Sequence, residues 1–218
     1  MTKHISPSIL ACDILHLEDE ILKIYRSGAD YIHIDIMDGV FVPNISFGMP
    51  IVSAVNKITD LTLDVHLMIV EPWKYIEVFA KCGADILTIH YEALSEAQIE
   101  RILDEVHFHG MKAALSVKPG TDVSVLFPYL DKLDMILIMT VEPGFGGQKY
   151  ISAVNKKICL LREKITQKKL NIDIEVDGGI NITTIQDAAN AGANIFVLGT
   201  AFFADPNFNA NTILYSLL

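Results

Sequence analysis

The sequence predicts an α/β chain folded as a single (β/α)8 barrel, and three observations carry that prediction. Eight short apolar runs recur along 218 residues, segments with helical spacing lie between them, and residues 5–13 hold no glycine. Runs apolar enough to be buried on both faces and alternating with helices form a parallel sheet, and eight such units favour a sheet closed on itself. A doubly wound open sheet would instead want a G-x-G-x-x-G turn after its first strand.

The runs are 5–10, 31–37, 61–69, 86–90, 112–117, 135–141, 172–176 and 195–198. Helical spacing appears in Leu17, Ile21, Leu22, Ile24 and Tyr25, again in Trp73, Ile76, Phe79 and Ala80, and again in Val154, Ile158, Leu161 and Ile165. Three joints between a helical pattern and a run share a signature: Ser27-Gly28-Ala29-Asp30, Cys82-Gly83-Ala84-Asp85 and Ala191-Gly192-Ala193-Asn194. Glycine there suits the left-handed residue that closes a helix. Pro72 and Pro206 are each placed to open a helix, where the missing N–H costs nothing. No linker, low-complexity tract or charge run divides the chain, so residues 1–218 read as one domain.

Composition narrows the function. Seventeen Lys and Arg against 27 Asp and Glu give a net charge of −10, and 51% of residues are hydrophobic, which describes an ordered globular chain. No stretch approaches the length of a membrane span, and the opening MTKHISPSIL lacks the features of a signal peptide, so the cytoplasm is the expected compartment. Cys12, Cys82 and Cys159 are odd in number and widely spaced; they read as small core residues rather than a disulfide framework or a thiolate zinc site. An acidic chain without Lys/Arg clusters is no nucleic-acid surface, yet it remains compatible with an anionic small ligand.

Chemistry concentrates at the ends of the runs, where a barrel keeps its catalytic groups. His33, Asp35 and Met37 stand at i, i+2, i+4 and so share one side of the second strand, opposite Ile32, Ile34 and Ile36. His66 and Met68 do the same on the third strand, and Asp177 ends the seventh. A strand histidine by itself reads as a hydrogen-bonded core residue. Aspartates on the same inner faces change that reading, because a buried carboxylate without a partner is costly. Two imidazoles and two carboxylates suit Zn²⁺, Fe²⁺, Co²⁺ or Mn²⁺ better than Mg²⁺. Glycine-bearing loops follow the last three strands, at 142–148, 177–181 and 199–201, and glycines let backbone N–H groups approach an anion such as a phosphate. Met37, Met68 and Met139 fall near strand ends, either as core filler or as an apolar floor that keeps water from a reactive centre.

Together these segments resemble the ribulose-phosphate 3-epimerases. The likeness rests on Ser6-Pro-Ser-Ile-Leu10, His33-Ile-Asp-Ile-Met-Asp-Gly39 with Phe41-Val-Pro-Asn44, Asp64-Val-His-Leu-Met68, Met139-Thr-Val-Glu-Pro-Gly-Phe-Gly-Gly-Gln148 and Glu175-Val-Asp-Gly-Gly179, in order along the chain. The resemblance implies the fold known as the TIM barrel and the interconversion of D-ribulose 5-phosphate and D-xylulose 5-phosphate by inversion at C3. It implies one divalent metal ion, zinc favoured, held by His33, Asp35, His66 and Asp177. Asp35 and Asp177 become the acid/base pair, Ser8 and His66 touch substrate, and Met37, Met68 and Met139 cap the pocket. Gly144, Phe145, Gly146, Gly147, Gly178, Gly179, Gly199 and Thr200 surround the phosphate.

Two positions depart from the family pattern. Val117-Lys118-Pro119 stands where Leu-Asn-Pro is usual, which places a cation near the rim, and Gly199-Thr200 is similar to the allulose-6-phosphate 3-epimerases. The pairs Gly146-Gly147 and Gly178-Gly179 look more like the pentose branch, so the pentulose phosphate comes first and the hexulose phosphate second. A non-catalytic sugar-phosphate-binding barrel is the alternative of another class, and two opposed carboxylates at a metal weigh against it. The expected partner is a small ketose phosphate, with no nucleic acid or membrane, and the expected assembly is a homo-oligomer.

Overall fold

The computed structural model describes residues 2–217. Eight strands run parallel: β1 (His4–Pro7), β2 (Tyr31–Met37), β3 (Thr62–Met68), β4 (Ile86–His90), β5 (Lys112–Val117), β6 (Met135–Met139), β7 (Asp173–Asp177) and β8 (Ile195–Leu198). Their order in the sheet is β1-β8-β7-β6-β5-β4-β3-β2, and a parallel bridge from Ser8 to His33 brings the two ends together. The result is a single (β/α)8 barrel. Helices α1 (Leu17–Arg26), α2 (Met49–Asn56), α3 (Ile76–Cys82), α4 (Glu96–Phe108), α5 (Asn155–Gln167) and α6 (Thr184–Ala191) lie between successive strands except β5 and β6, and α7 (Thr200–Phe203) and α8 (Ala210–Ser216) both follow β8. None of them is long and apolar enough to cross a membrane.

Alternation along the strands sorts their residues between two interiors. One phase, including Ile32, Ile34, Ile36, Val65, Leu67, Ile174 and Val176, packs outward with helix residues such as Phe79, Ile102 and Leu161 in the main apolar core. The other phase fills the barrel. Tyr31, Ile86, Ala114, Met135 and Ile195 form an apolar plug inside it. Ser6, His33, Asp64, Thr88, Ser116 and Glu175, all fully buried, share that inward phase.

Some boundaries differ from the sequence reading for local reasons. The first run stops at Pro7, because Ser8 caps a 3-10 turn (Ile9–Ala11) by accepting the Leu10 N–H. The segment before β6 is a 3-10 helix, Val123–Lys132, with Pro128 inside it, where proline removes a donor that an α-helix would use. Pro206 opens no helix: it sits in an exposed turn, and α8 starts only after Asn209, whose side chain accepts the Thr212 N–H at 3.0 Å. Pro72 does open its helical segment, through a 3-10 turn that runs into α3. Gly28, Gly83 and Gly192 close helices with φ of 80°, 95° and 115°, as expected. Cys82 is buried, whereas Cys12 is half-buried and Cys159 is exposed on α5, so only one of the three is a core residue.

Candidate active site

The inward phase of β2 and the register of β3 build the floor of the barrel mouth. His33 pairs with Asp64, Asp35 with His66 and Met37 with Met68 across the two strands. Asp35 is the hub: its Oδ2 accepts the Ser8 hydroxyl at 2.7 Å, while its Oδ1 lies 3.2 Å from His33 Nε2 and 3.0 Å from His66 Nδ1. Asp177 arrives from the end of β7. One ligand atom from each of His33, Asp35, His66 and Asp177 lies within 4.8 Å of the others. This donor set fits a divalent metal: two imidazole nitrogens and two carboxylate oxygens, four in number, in the combination that zinc, iron, cobalt or manganese accepts. The aim of both imidazoles at one carboxylate oxygen supports the fit, since a ring lone pair facing a carboxylate repels it unless a cation or proton stands between them.

Behind each imidazole lies a partner for its other nitrogen. His33 Nδ1 is 2.6 Å from Asp64 Oδ2, and Glu175 Oε1 stands 3.8 Å from the same nitrogen. His66 Nε2 is 2.9 Å from His90 Nε2, and His90 Nδ1 is 3.2 Å from Glu92 Oε2. Such outer contacts orient metal-binding rings and choose their tautomers. The sequence reading missed Asp64, His90, Glu92 and Glu175 as members of this cluster. A signal existed for two of them, because Asp64 shares the strand phase of His66 and Glu175 that of Asp177.

The ionisable groups are driven apart. Burial opposes the charge on Asp35, but the imidazoles of His33 and His66 outweigh it and hold this carboxyl well below the usual range. Burial likewise opposes charge on His33, and the flanking Asp35 and Asp64 overcome it, raising that imidazole well above its ordinary value. Asp177 moves the other way: burial, then the charge on Asp35, push it up to about 6. Burial, then Asp64, also raise Glu175 well above its ordinary value. Burial lowers His90 to about 4. Glu92 drops to about 2 despite burial, because His90, Thr121 and the Lys118 backbone N–H all donate to it.

A cavity of about 770 Å³ opens above this floor. Ser8, Asp35 and Asp177 line it, as do Met37, Met68 and Met139. So do the glycine-bearing loops, through Gly144, Phe145, Gly146, Gly147, Gly178, Gly179, Gly199 and Thr200. His33 and His66 are fully buried and do not line it; they stand behind Asp35. The loops are tightly specified where they meet. Gly179 has φ of 65°, and a Cβ there would fall 2.4 Å from the Tyr150 backbone nitrogen. At Gly146 and Gly147 a Cβ would meet nothing within 4 Å, which leaves their backbone open to a ligand. Lys118 does not line the cavity; its Nζ sits 4.1 Å from the centre of the Phe41 ring, which in turn tilts against His90 at 4.8 Å.

Residues 4–203 match the model of the ribulose-phosphate 3 epimerase family. The chain belongs to that family. It is 48% identical over 200 residues to ribulose-phosphate 3-epimerase of Bacillus subtilis, covering 91% of each chain. It is 46% identical over 210 residues to the Synechocystis enzyme of the same name, covering 95% of this chain and 91% of that one. The chloroplastic ribulose-5-phosphate-3-epimerase of Arabidopsis thaliana is 43% identical over 94% of this chain and 73% of its own. Among solved structures, a tryptophan synthase α-subunit mutant from Pyrococcus furiosus superposes with a TM-score of 0.69 at 13% identity, covering 100% of this chain and 98% of that one, a likeness of fold alone. Membership of the family makes this chain an enzyme, a carbohydrate epimerase among the isomerases.

Proposed function

We propose that the chain is a metal-dependent ribulose-phosphate 3-epimerase that inverts C3 of D-ribulose 5-phosphate through two opposed carboxylates. The observation that carries this reading is the pair Asp35 and Asp177, both lining the cavity floor and pushed in opposite directions from the ordinary carboxylate value. Groups whose surroundings separate them in this way divide the roles of base and acid. Ionised Asp35 removes the C3 proton from one face, protonated Asp177 returns one to the other, and the roles exchange for the reverse reaction. Ser8 fixes the Asp35 carboxylate through its hydroxyl.

His33, Asp35, His66 and Asp177 would hold the metal, which when bound supplies positive charge to the oxygen where negative charge develops as the proton leaves. Met37, Met68 and Met139 exclude water from the reacting carbon. The backbone of the loops at 144–147, 178–179 and 199–200 binds the phosphate, a task glycines perform without a basic side chain. The three free cysteines agree with a reducing cytoplasm.

Exchange in heavy water tests the division of labour. Metal-loaded Asp35→Asn and Asp177→Asn each keep one carboxylate, so each should exchange the C3 proton of one epimer only, and the two variants should select opposite epimers. Equal exchange of both epimers by each variant would show the assignment to be wrong. A coupled assay against allulose 6-phosphate separates the pentulose from the hexulose reading.

A further inference from the structure

An imidazole has two nitrogens, and its neighbours decide which one holds the proton. His66 and His90 meet through their Nε2 atoms at 2.9 Å, and both rings are fully buried. A contact of that length between ring nitrogens holds one hydrogen, so one ring donates and the other accepts. Glu92 breaks the tie. Its Oε1 already accepts the Lys118 backbone N–H at 2.8 Å and the Thr121 hydroxyl, and its Oε2 faces His90 Nδ1 at 3.2 Å. A carboxylate offers only acceptors, so the hydrogen of His90 belongs on Nδ1. Asp35 would draw a hydrogen to His66 Nδ1 in the same way, so the order is set once a metal takes that hydrogen's place: His90 Nε2 accepts, His66 Nε2 donates, and the lone pair of His66 falls on Nδ1. Lys157 steadies the far end of the chain by donating to the carbonyls of Pro119 and Thr121.

We infer that Glu92 and His90 are positioning residues that act through His66, turning its Nδ1 lone pair toward the metal site by a directional chain of hydrogen bonds. This rests on the reading of His66 as a ligand. The two ligand rings are thus anchored differently. His33 leans directly on the Asp64 carboxylate, whereas His66 reaches its carboxylate through a second imidazole, which keeps the Glu92 charge one ring further from the centre. That arrangement orients a ligand without adding another adjacent negative charge to a buried cluster that already holds several carboxylates.

Glu92→Gln supplies a sharp test, because its amide oxygen is held by the Lys118 N–H and the Thr121 hydroxyl, which leaves the NH₂ to face His90. That NH₂ opposes the hydrogen on His90 Nδ1 which a metal-binding His66 requires. Nitrogen-15 spectra of the ring nitrogens in Zn²⁺-loaded wild-type protein should place the His90 proton on Nδ1 and the His66 proton on Nε2. Zn²⁺ affinity, measured by competition with a chelator, should fall about 10- to 100-fold in Glu92→Gln, the range seen for outer partners of metal-binding histidines. A His90 protonated on Nε2 in the Zn²⁺-loaded wild type would overturn the inference, and that measurement decides even if the variant fails to fold. So would a folded variant with unchanged Zn²⁺ affinity. If the wild type showed no epimerase activity while the tautomers and affinities came out as expected, the proposed function would fall and this inference would be supported.

Discussion

Replacing Asp177 with asparagine should cost the enzyme its activity and increase the stability of the metal-free protein, a combination that marks a residue kept for chemistry. The Asp177 carboxyl is raised from 3.8 to about 6 by burial and by Asp35. Two pKa units correspond to about 3 kcal/mol, and because the group lines a cavity open to water, the effect should fall at about 1–3 kcal/mol. The folded-state value lies above the unfolded one, so the stability linked to this proton is fully present below 3.8 and is lost as the pH rises through about 6. Asparagine carries no charge at any pH. Relative to the wild type, Asp177→Asn should therefore gain about 1–3 kcal/mol in metal-free protein at neutral pH and nothing in acid below the unfolded value. Urea unfolding at the two pH values reads this difference directly. Net epimerisation by the metal-loaded variant should fall at least about 100-fold, or about 2.7 kcal/mol of transition-state stabilisation. A variant less stable than the wild type by the same amount at both pH values would refute the reasoning and make Asp177 a structural residue.

Exhaustive chelation should abolish activity and lower the unfolding midpoint, and Zn²⁺, Co²⁺ or Mn²⁺ should restore both; full activity in protein shown by elemental analysis to be metal-free would contradict the site. Removing the phosphate from the substrate should cut kcat/KM by orders of magnitude, while Lys149→Ala changes it little, and a large loss in Lys149→Ala would mean that a side chain carries the phosphate. Gly179→Ala should cost about 2 kcal/mol or more in denaturant unfolding, because its φ of 65° is strained for alanine and the new Cβ meets backbone at Tyr150; an unchanged midpoint would show that the loop yields easily.

Much of the barrel was legible in the chain. Strand runs, their inward phase and the glycines closing the helices are local properties, written in period two along β2 and β3 and in the positive φ that only a few residues accept cheaply. His33, Asp35, His66 and Asp177 were visible because each shares a face with other polar or methionine positions at a strand end, and the glycine loops because three of them recur after successive strands. Helix type and onset were less legible: Pro128 and Asn209 decide them through single hydrogen bonds that compete with periodicity. Period two tells which way a side chain points and nothing about what it meets. The register of β2 on β3 set Asp64 behind His33, and the adjacency of β3 and β4 let His90 reach His66. Only that arrangement drives Asp35 down against its burial, through the imidazoles of His33 and His66, and Asp177 up, through burial and Asp35, because the free energy of a charge depends on every group around it in space and not on its neighbours along the chain.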